Sequence, residues 1–308
     1  MSPWINKSVA QKVISWLPFP NSCNYLFQRY ITRSQVMDAA AFAFKLRHCR
    51  RHLAGYFAGG RLKSGFRVLE IGTGWHPIIP VALYLCGARK IFTIDKTGLL
   101  NGHRVRETVR LFLELEPGAL AEALPWLRRE RLRKLRAVAA RRFSVARMLG
   151  CLGIEPIVGD AQRTGLPARS IDFVFSNSVI QEIPAQVVQG IFAETRRVAA
   201  PGALISHYIN MADYRAMSDS SLTPFDFLRY SRRQWKLLSN SLVMLNRLRV
   251  ADYRALHRNF GLKMLREENE MGLPAELRGV PLAEQFRGYP MEDLLVLRSW
   301  IASTPAVD

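Results

Sequence analysis

Val68-Leu69-Glu70-Ile71-Gly72-Thr73-Gly74-Trp75-His76-Pro77 decides the fold. A compact apolar run carries one acid and enters two glycines spaced by a single residue, and proline follows three positions later. Glycines there permit a tight turn and let backbone approach a ligand with no Cβ in the way. Proline suits the first turn of a helix, where its missing N–H is no loss. The stretch predicts strand, turn and helix, with any ligand near the carboxyl end of the strand. The dinucleotide fingerprint G-x-G-x-x-G would need glycine at position 77, so Pro77 argues against NAD.

Outward from this point, strands and helices alternate. Phe66 to Ile71 reads as a strand, Pro77 to Gly87 as an apolar helix and Ile91 to Ile94 as a second strand. Asn101 to Leu149, rich in Leu, Ala, Glu and Arg, reads as helical, punctuated by Pro117-Gly118. Ile154 to Val158 and Ile171 to Phe175 follow as strands, Pro184 to Val198 as a helix and Ala203 to Tyr208 as a strand after the Pro201-Gly202 turn. Such alternation predicts an α/β fold with a mainly parallel sheet covered on both faces. From Asn210 to about Arg249 the rhythm breaks into an aromatic-bearing insert. It resumes with a helix over Ala251 to Phe260, a strand over Leu262 to Leu265 and a last strand over Leu294 to Trp300. Residues 1–62 carry no strand pattern and read as an N-terminal helical extension or lid; 63–308 form the main domain, with inserts at about 101–149 and 210–250.

Composition narrows the class. Hydrophobic residues make up 49%, enough for a sizeable core. The four cysteines form no C-x-x-C pair and the six histidines no metal-spaced array, so reduced thiols and no metal are expected. The longest apolar run, Ile78 to Cys86, is far below the roughly 20 residues that span a bilayer. A cytoplasmic protein, at most peripheral to a membrane, is expected. The net charge of +19 points to an anionic partner: nucleic acid, an anionic membrane surface or an acidic substrate. Arg128, Arg129, Arg131, Arg133, Lys134, Arg136, Arg141 and Arg142 crowd one stretch, but at helical spacing they cannot share one face.

Three further elements stand at strand ends. Asp95, with Lys96 beside it, lies about 20 residues past the glycines, where an acid can accept both ribose hydroxyls of a nucleoside. Gly159-Asp160-Ala161 follows the third strand; a carboxylate there can accept an adenine amine while a neighbouring N–H meets a ring nitrogen. Ser176-Asn177-Ser178 ends the fourth strand in small polar groups that could face a ligand.

In this order these elements resemble class I S-adenosylmethionine-dependent methyltransferases, over roughly residues 64–209 plus the closing strands. The resemblance implies a Rossmann-like seven-stranded sheet of order 3-2-1-4-5-7-6 with the last strand antiparallel. It implies S-adenosylmethionine as cofactor, with Glu70, Gly72, Thr73 and Gly74 at the methionine end, Asp95 and Lys96 at the ribose, Asp160 and Ala161 at the adenine, and Ser176 and Asn177 close by. Two positions depart from the pattern: His76 replaces the third glycine often seen in the loop, and Glu182 falls where many small-molecule members carry histidine.

Methyl transfer from a sulfonium needs alignment of the acceptor and, for a hydroxyl, removal of a proton. His207, at the end of the fifth strand, is the first candidate base, and Glu182 the second. Tyr214, Phe225, Phe227, Tyr230 and Trp235 of the insert are expected to line an apolar acceptor pocket, with His207, Tyr208 and Asp213 as its polar groups. The expected function is methyl transfer to a small-molecule or glycan acceptor at a hydroxyl. RNA methylation is the alternative the charge suggests; Ser176-Asn177-Ser178-Val179 stands where an Asn-Pro-Pro-Tyr-type tetrad would argue for it. A non-catalytic scaffold would have no reason to keep Gly72, Gly74, Asp95 and Asp160 together.

Overall fold

The computed structural model describes residues 37–62, 64–217, 219–238 and 245–306. Seven strands form one sheet: β1 (Arg67–Ile71), β2 (Lys90–Asp95), β3 (Ile154–Val158), β4 (Ile171–Asn177), β5 (Ala199–Asn210), β6 (Leu262–Met271) and β7 (Val296–Pro305). Their order is β3-β2-β1-β4-β5-β7-β6, as the resemblance implies. The first five run parallel, while β7 is antiparallel to both β5 and β6.

Two helical layers cover the sheet. On one face lie α1 (Ala39–Ala58), α2 (Ile78–Leu85), α3 (Gly102–Glu114), α4 (Pro117–Ala123), α5 (Arg129–Ala139) and α6 (Val145–Cys151). On the other lie α7 (Ala185–Val198), then, past the short α8 (Arg232–Leu238), α9 (Val250–Asn259). Two short helices, α10 (Pro274–Arg278) and α11 (Met291–Leu295), precede β7. Alternate residues of each strand feed alternate cores. Val68, Phe173, Phe175 and Leu204 face the α1 layer, whereas Leu69, Val174, Ile205 and Ile209 face the α7 layer.

All eight residues of α2 are buried, which explains its unbroken apolar sequence. Burying each large side chain there stabilises the fold by about 1.5–3 kcal/mol. Helix α1 joins the same core through Phe42, Leu46, Cys49, Leu53 and Tyr56. Ala39–Ala58 is therefore a layer of the sheet domain, not an appendage; the part of the N-terminal extension before residue 37 lies outside the described residues. Helix α5 shows why its arginines cannot act as one surface. Leu132, Leu135 and Val138 turn inward, and Arg131 donates to the Tyr84 carbonyl (2.9 Å) while stacking on the Tyr84 ring.

The insert builds its own core. Phe225, Phe227 and Leu228 pack with Leu277, Val280, Phe286, Leu294 and Leu295. Arg249, 0% exposed, locks this unit to the sheet by donating to the carbonyls of Met211 (2.8 Å), Leu294 (2.8 Å) and Val296. Phe225 and Phe227 thus anchor the insert and do not line an acceptor pocket.

Candidate functional site

The loop after β1 is shaped by two positive backbone angles, at Gly72 (φ 83°) and Gly74 (φ 65°). A Cβ on Gly72 would stand 2.4 Å from Val179, in the segment that follows β4. A Cβ on Gly74 would meet nothing within 4 Å, so that side of the loop is open. The departure at His76 has a structural reason. His76 Nε2 lies 2.9 Å from the Glu107 carboxylate, and the Arg104 guanidinium stacks 4.2 Å from the Trp75 ring. Both partners belong to α3, so this helix ties the loop down where a third glycine would let helix and strand approach.

Three carboxylates stand at the ends of β1, β2 and β3. Glu70, 3% exposed, accepts from the Thr93 hydroxyl, which also contacts Thr73. Burial pushes its pKa up to about 8, against the pull of Thr93 and of the Lys45 ammonium. Asp95 accepts from the backbone of Gly74 and Thr97, at 3.1 Å each, and so fixes the glycine loop against β2. Lys96 beside it is exposed. Asp160 is exposed, held by the Gln162 backbone (2.9 Å) and side-chain amide (3.2 and 2.9 Å), with Ala161 partly buried between them.

At the end of β4, neighbouring residues part to opposite faces. Ser176 is paired with His207 Nδ1 at 2.8 Å in the α7 layer. Asn177 accepts from His48 Nδ1 at 2.7 Å in the α1 layer. Ser178 then holds φ 58°, an angle uncommon outside glycine, and turns the chain over the glycine loop into the short helix Ile180–Glu182. Glu182 hydrogen-bonds Tyr214, whose hydroxyl also accepts from Gln181 Nε2 at 2.8 Å. The Glu182 side chain is exposed to water. Desolvation raises its pKa to about 7 despite Tyr214 and Lys45, and lifts the Tyr214 hydroxyl well above its usual value. Lys45 of α1 lies within electrostatic reach of both Glu70 and Glu182, and burial lowers its own pKa.

This geometry corrects the order of the two candidate bases. His207 is 1% exposed, on the opposite face of the sheet from Glu70. Its ring packs on Phe192 and His257, its Nε2 has no partner, and burial drives its pKa down to about 3. Ser176, engaged with it, is buried on that face too. Two further groups expected at the acceptor are otherwise occupied: Tyr208 packs between His48 and Trp300, and Asp213 is held by Arg215 at 2.6–3.1 Å. Tyr214, from the same insert, bonds Glu182 and Gln181. Lys45 escaped sequence reasoning because a lysine in an amphipathic helix reads as solvated; no local signal marks it.

Residues 129–206, from α5 through most of β5, match a protein family described as Methyltransferase domain. The chain therefore carries a methyltransferase domain, on a sheet whose order β3-β2-β1-β4-β5-β7-β6 is that of the class I, Rossmann-like fold. Its cofactor is S-adenosylmethionine. Curated protein sequences yield no match. Among solved structures, the chain is similar to phosphoethanolamine N-methyltransferase 2 of Haemonchus contortus in complex with S-adenosyl-L-methionine. The identity is 14%, over 91% of this chain and 59% of that one, with a TM-score of 0.47. It is similar to an S-adenosylmethionine-dependent methyltransferase from Mesorhizobium loti (16% identity, 81% and 95% covered, TM-score 0.44). It is also similar to geranyl diphosphate C-methyltransferase from Streptomyces coelicolor A3(2) (9% identity, 85% and 78% covered, TM-score 0.47).

Proposed function

We propose that the protein moves the methyl group to a hydroxyl of a small-molecule or glycan acceptor, with Glu182 taking the proton. The supporting observation is the Glu182 carboxyl, with a pKa near 7, in the short helix after β4 and within reach of the same Lys45 ammonium as Glu70. A base with a pKa near the working pH combines a useful ionised fraction with proton affinity. Tyr214 fixes the carboxyl, and the Lys45 ammonium preserves part of its ionised form.

The cofactor fits the donor set. Glu70 would hold the ammonium of the methionine end, Asp95 the ribose hydroxyls and Asp160 the adenine amine, with the open side of Gly74 leaving room for close approach. When bound, S-adenosylmethionine supplies an electrophilic methyl group on a sulfonium. The Asp160 carboxylate would exchange the Gln162 amide for the adenine amine. Asn177, held by His48, orients the segment that carries Glu182. The test is a screen of hydroxyl-bearing acceptors with methyl-labelled S-adenosylmethionine, followed by a pH profile of the best one. Rates should rise through an apparent pKa near 7; acceptors labelled only at nitrogen or carbon, with a flat profile, would overturn the reading.

A further inference from the structure

Among the described residues, the two most exposed large apolar side chains are Met217 (82%) and Leu237 (72%). They sit on neighbouring elements. The short helix Tyr214–Met217 is stacked on the α8 region through Arg215, whose guanidinium lies 5.0 Å from the Tyr230 ring and 5.2 Å from the Trp235 ring. Helix α8 has no buried residue, and Arg232, Arg233 and Lys236 on it are exposed. Arg229, which precedes it, is paired with Asp226 at 2.9 Å, and no acidic residue occurs between Asp226 and Asp252. On α8 itself the patch therefore combines the exposed cations Arg232, Arg233 and Lys236 with aliphatic side chains that water penalises.

That combination selects one kind of partner. Cations alone fit any polyanion, and the exposed arginines of α5 are of that kind. Nucleic acid rewards aromatic stacking and hydrogen bonding, which Met217 and Leu237 cannot offer. A bilayer with anionic headgroups accepts both parts: the cations meet phosphate, and the aliphatic chains enter the acyl boundary. We infer that the Tyr214–Met217 turn and α8 form a docking surface for an anionic lipid bilayer. No helix among the described residues is long and apolar enough to cross a membrane, so contact is peripheral. Because Tyr214 begins the turn that Met217 ends, docking brings Tyr214 and the Glu182 carboxyl it bonds toward the bilayer. The inference goes beyond the proposed reaction and needs no methyl transfer for its test.

The full chain is mixed with vesicles of phosphatidylcholine alone, or of phosphatidylcholine with phosphatidylglycerol, and sedimented at low and at physiological salt. The expected result is retention on the anionic vesicles, weaker at higher salt. Retention should fall roughly fivefold for each charge removed in Arg232→Glu and Arg233→Glu. Met217→Asp and Leu237→Asp should release the protein at physiological salt with circular dichroism unchanged, since both side chains are exposed. Arg133→Glu/Arg136→Glu on α5 should leave retention within about twofold, because a charge beyond a Debye length contributes little. The inference is overturned by no retention at either salt. It is overturned equally if the α5 pair matters as much as the α8 pair, or if a mixed-sequence RNA binds while vesicles do not. Methyl transfer dependent on Glu182 would survive any of these outcomes.

Discussion

The two faces of the sheet carry buried titratable groups at the same level, a residue apart in sequence, and treat them oppositely. Toward α1, Glu70 and Asn177 meet Lys45 and His48, and the region communicates with the accessible Glu182. Toward α7, Ser176, His207 and His257 are sealed, with both His207 and His257 leaving Nε2 without a partner. Burial shifts pKa values on both faces, to about 7 for Glu182 and about 3 for His207. A perturbed pKa marks a reactive group only where substrate can reach it. His207 is a group the fold has neutralised; Glu182 is one it has tuned.

The largest expected effect tests the open face. Glu182→Gln preserves shape and the contact to Tyr214 but removes the base. Turnover should fall about 10²–10⁴-fold, the usual worth of a positioned general base. S-adenosylmethionine affinity by calorimetry should stay within about threefold, because an interaction used in the transition state leaves ground-state binding alone. A drop in turnover below tenfold would return the base assignment to another group.

Next in size is the seam where the cofactor loop touches the acceptor segment. Gly72→Val places a β-branched side chain at φ 83°, with its Cβ 2.4 Å from Val179. Cofactor affinity should fall at least roughly 100-fold in protein whose circular dichroism matches the parent, given backbone strain of about 1–3 kcal/mol plus the clash. Adding Val179→Ala should restore part of it, since the two Cγ contacts are removed while the Cβ contact at 2.9 Å and the backbone strain remain. No recovery would mean that the two loops are not coupled through this contact. Asp95→Ala comes third. It should weaken cofactor binding by about 1.5–3 kcal/mol, the range for hydrogen bonds to a charged group. Unchanged affinity would remove Asp95 from the ribose.

The same contrast explains what could be read from sequence. The proposed cofactor half is local: β1, the glycine turn, α2 and the acids after β2 and β3 follow from strand alternation and turn chemistry within short windows. β3 reads as Ile154 to Val158 and is observed with those limits. The proposed acceptor half is assembled from afar, with Lys45 from α1, Glu182 after β4 and Tyr214 from the insert, and no short window contains it. Strand limits failed where local signals mislead. Pro201-Gly202 looked like a turn before β5, yet the strand begins at Ala199 and absorbs the pair at an irregularity in its register with β4. β6 was cut at Leu265, but it continues to Met271 through Arg266-Glu267-Glu268-Asn269-Glu270. It is the edge strand, paired only with β7, so water masks its alternation. Leu294, which reads as the start of β7, lies inside the helical turn Met291–Leu295 capped by Pro290, with Glu292 and Asp293 in its first turn.

The smallest expected effect on turnover, and the sharpest test of the sealed face, is His207→Ala. The imidazole is buried, on the far side of the sheet from Glu70, so turnover at saturating acceptor should stay within about threefold once folding is confirmed. Stability should nevertheless fall by about 1–3 kcal/mol, through the cavity and the orphaned Ser176 hydroxyl. The pH dependence supplies an independent check. The folded pKa of His207, about 3, lies below the unfolded value of 6.5. Above pH 6.5 the ring is neutral in both states and no penalty arises. Below it the unfolded chain binds a proton that the folded chain refuses, so stability is lost as pH falls from 6.5 toward 3. One such group contributes about 1.4 kcal/mol per pH unit in that window. Denaturant unfolding of parent and variant at a series of pH values should therefore give a shallower acid limb for His207→Ala, by that slope. His48, with a folded pKa of about 4, keeps its own share of the limb in both proteins. An unchanged slope would mean that the His207 ring is protonated in the fold. A hundredfold loss of turnover with the fold intact would put histidine back in the reaction and erase the distinction between the two faces.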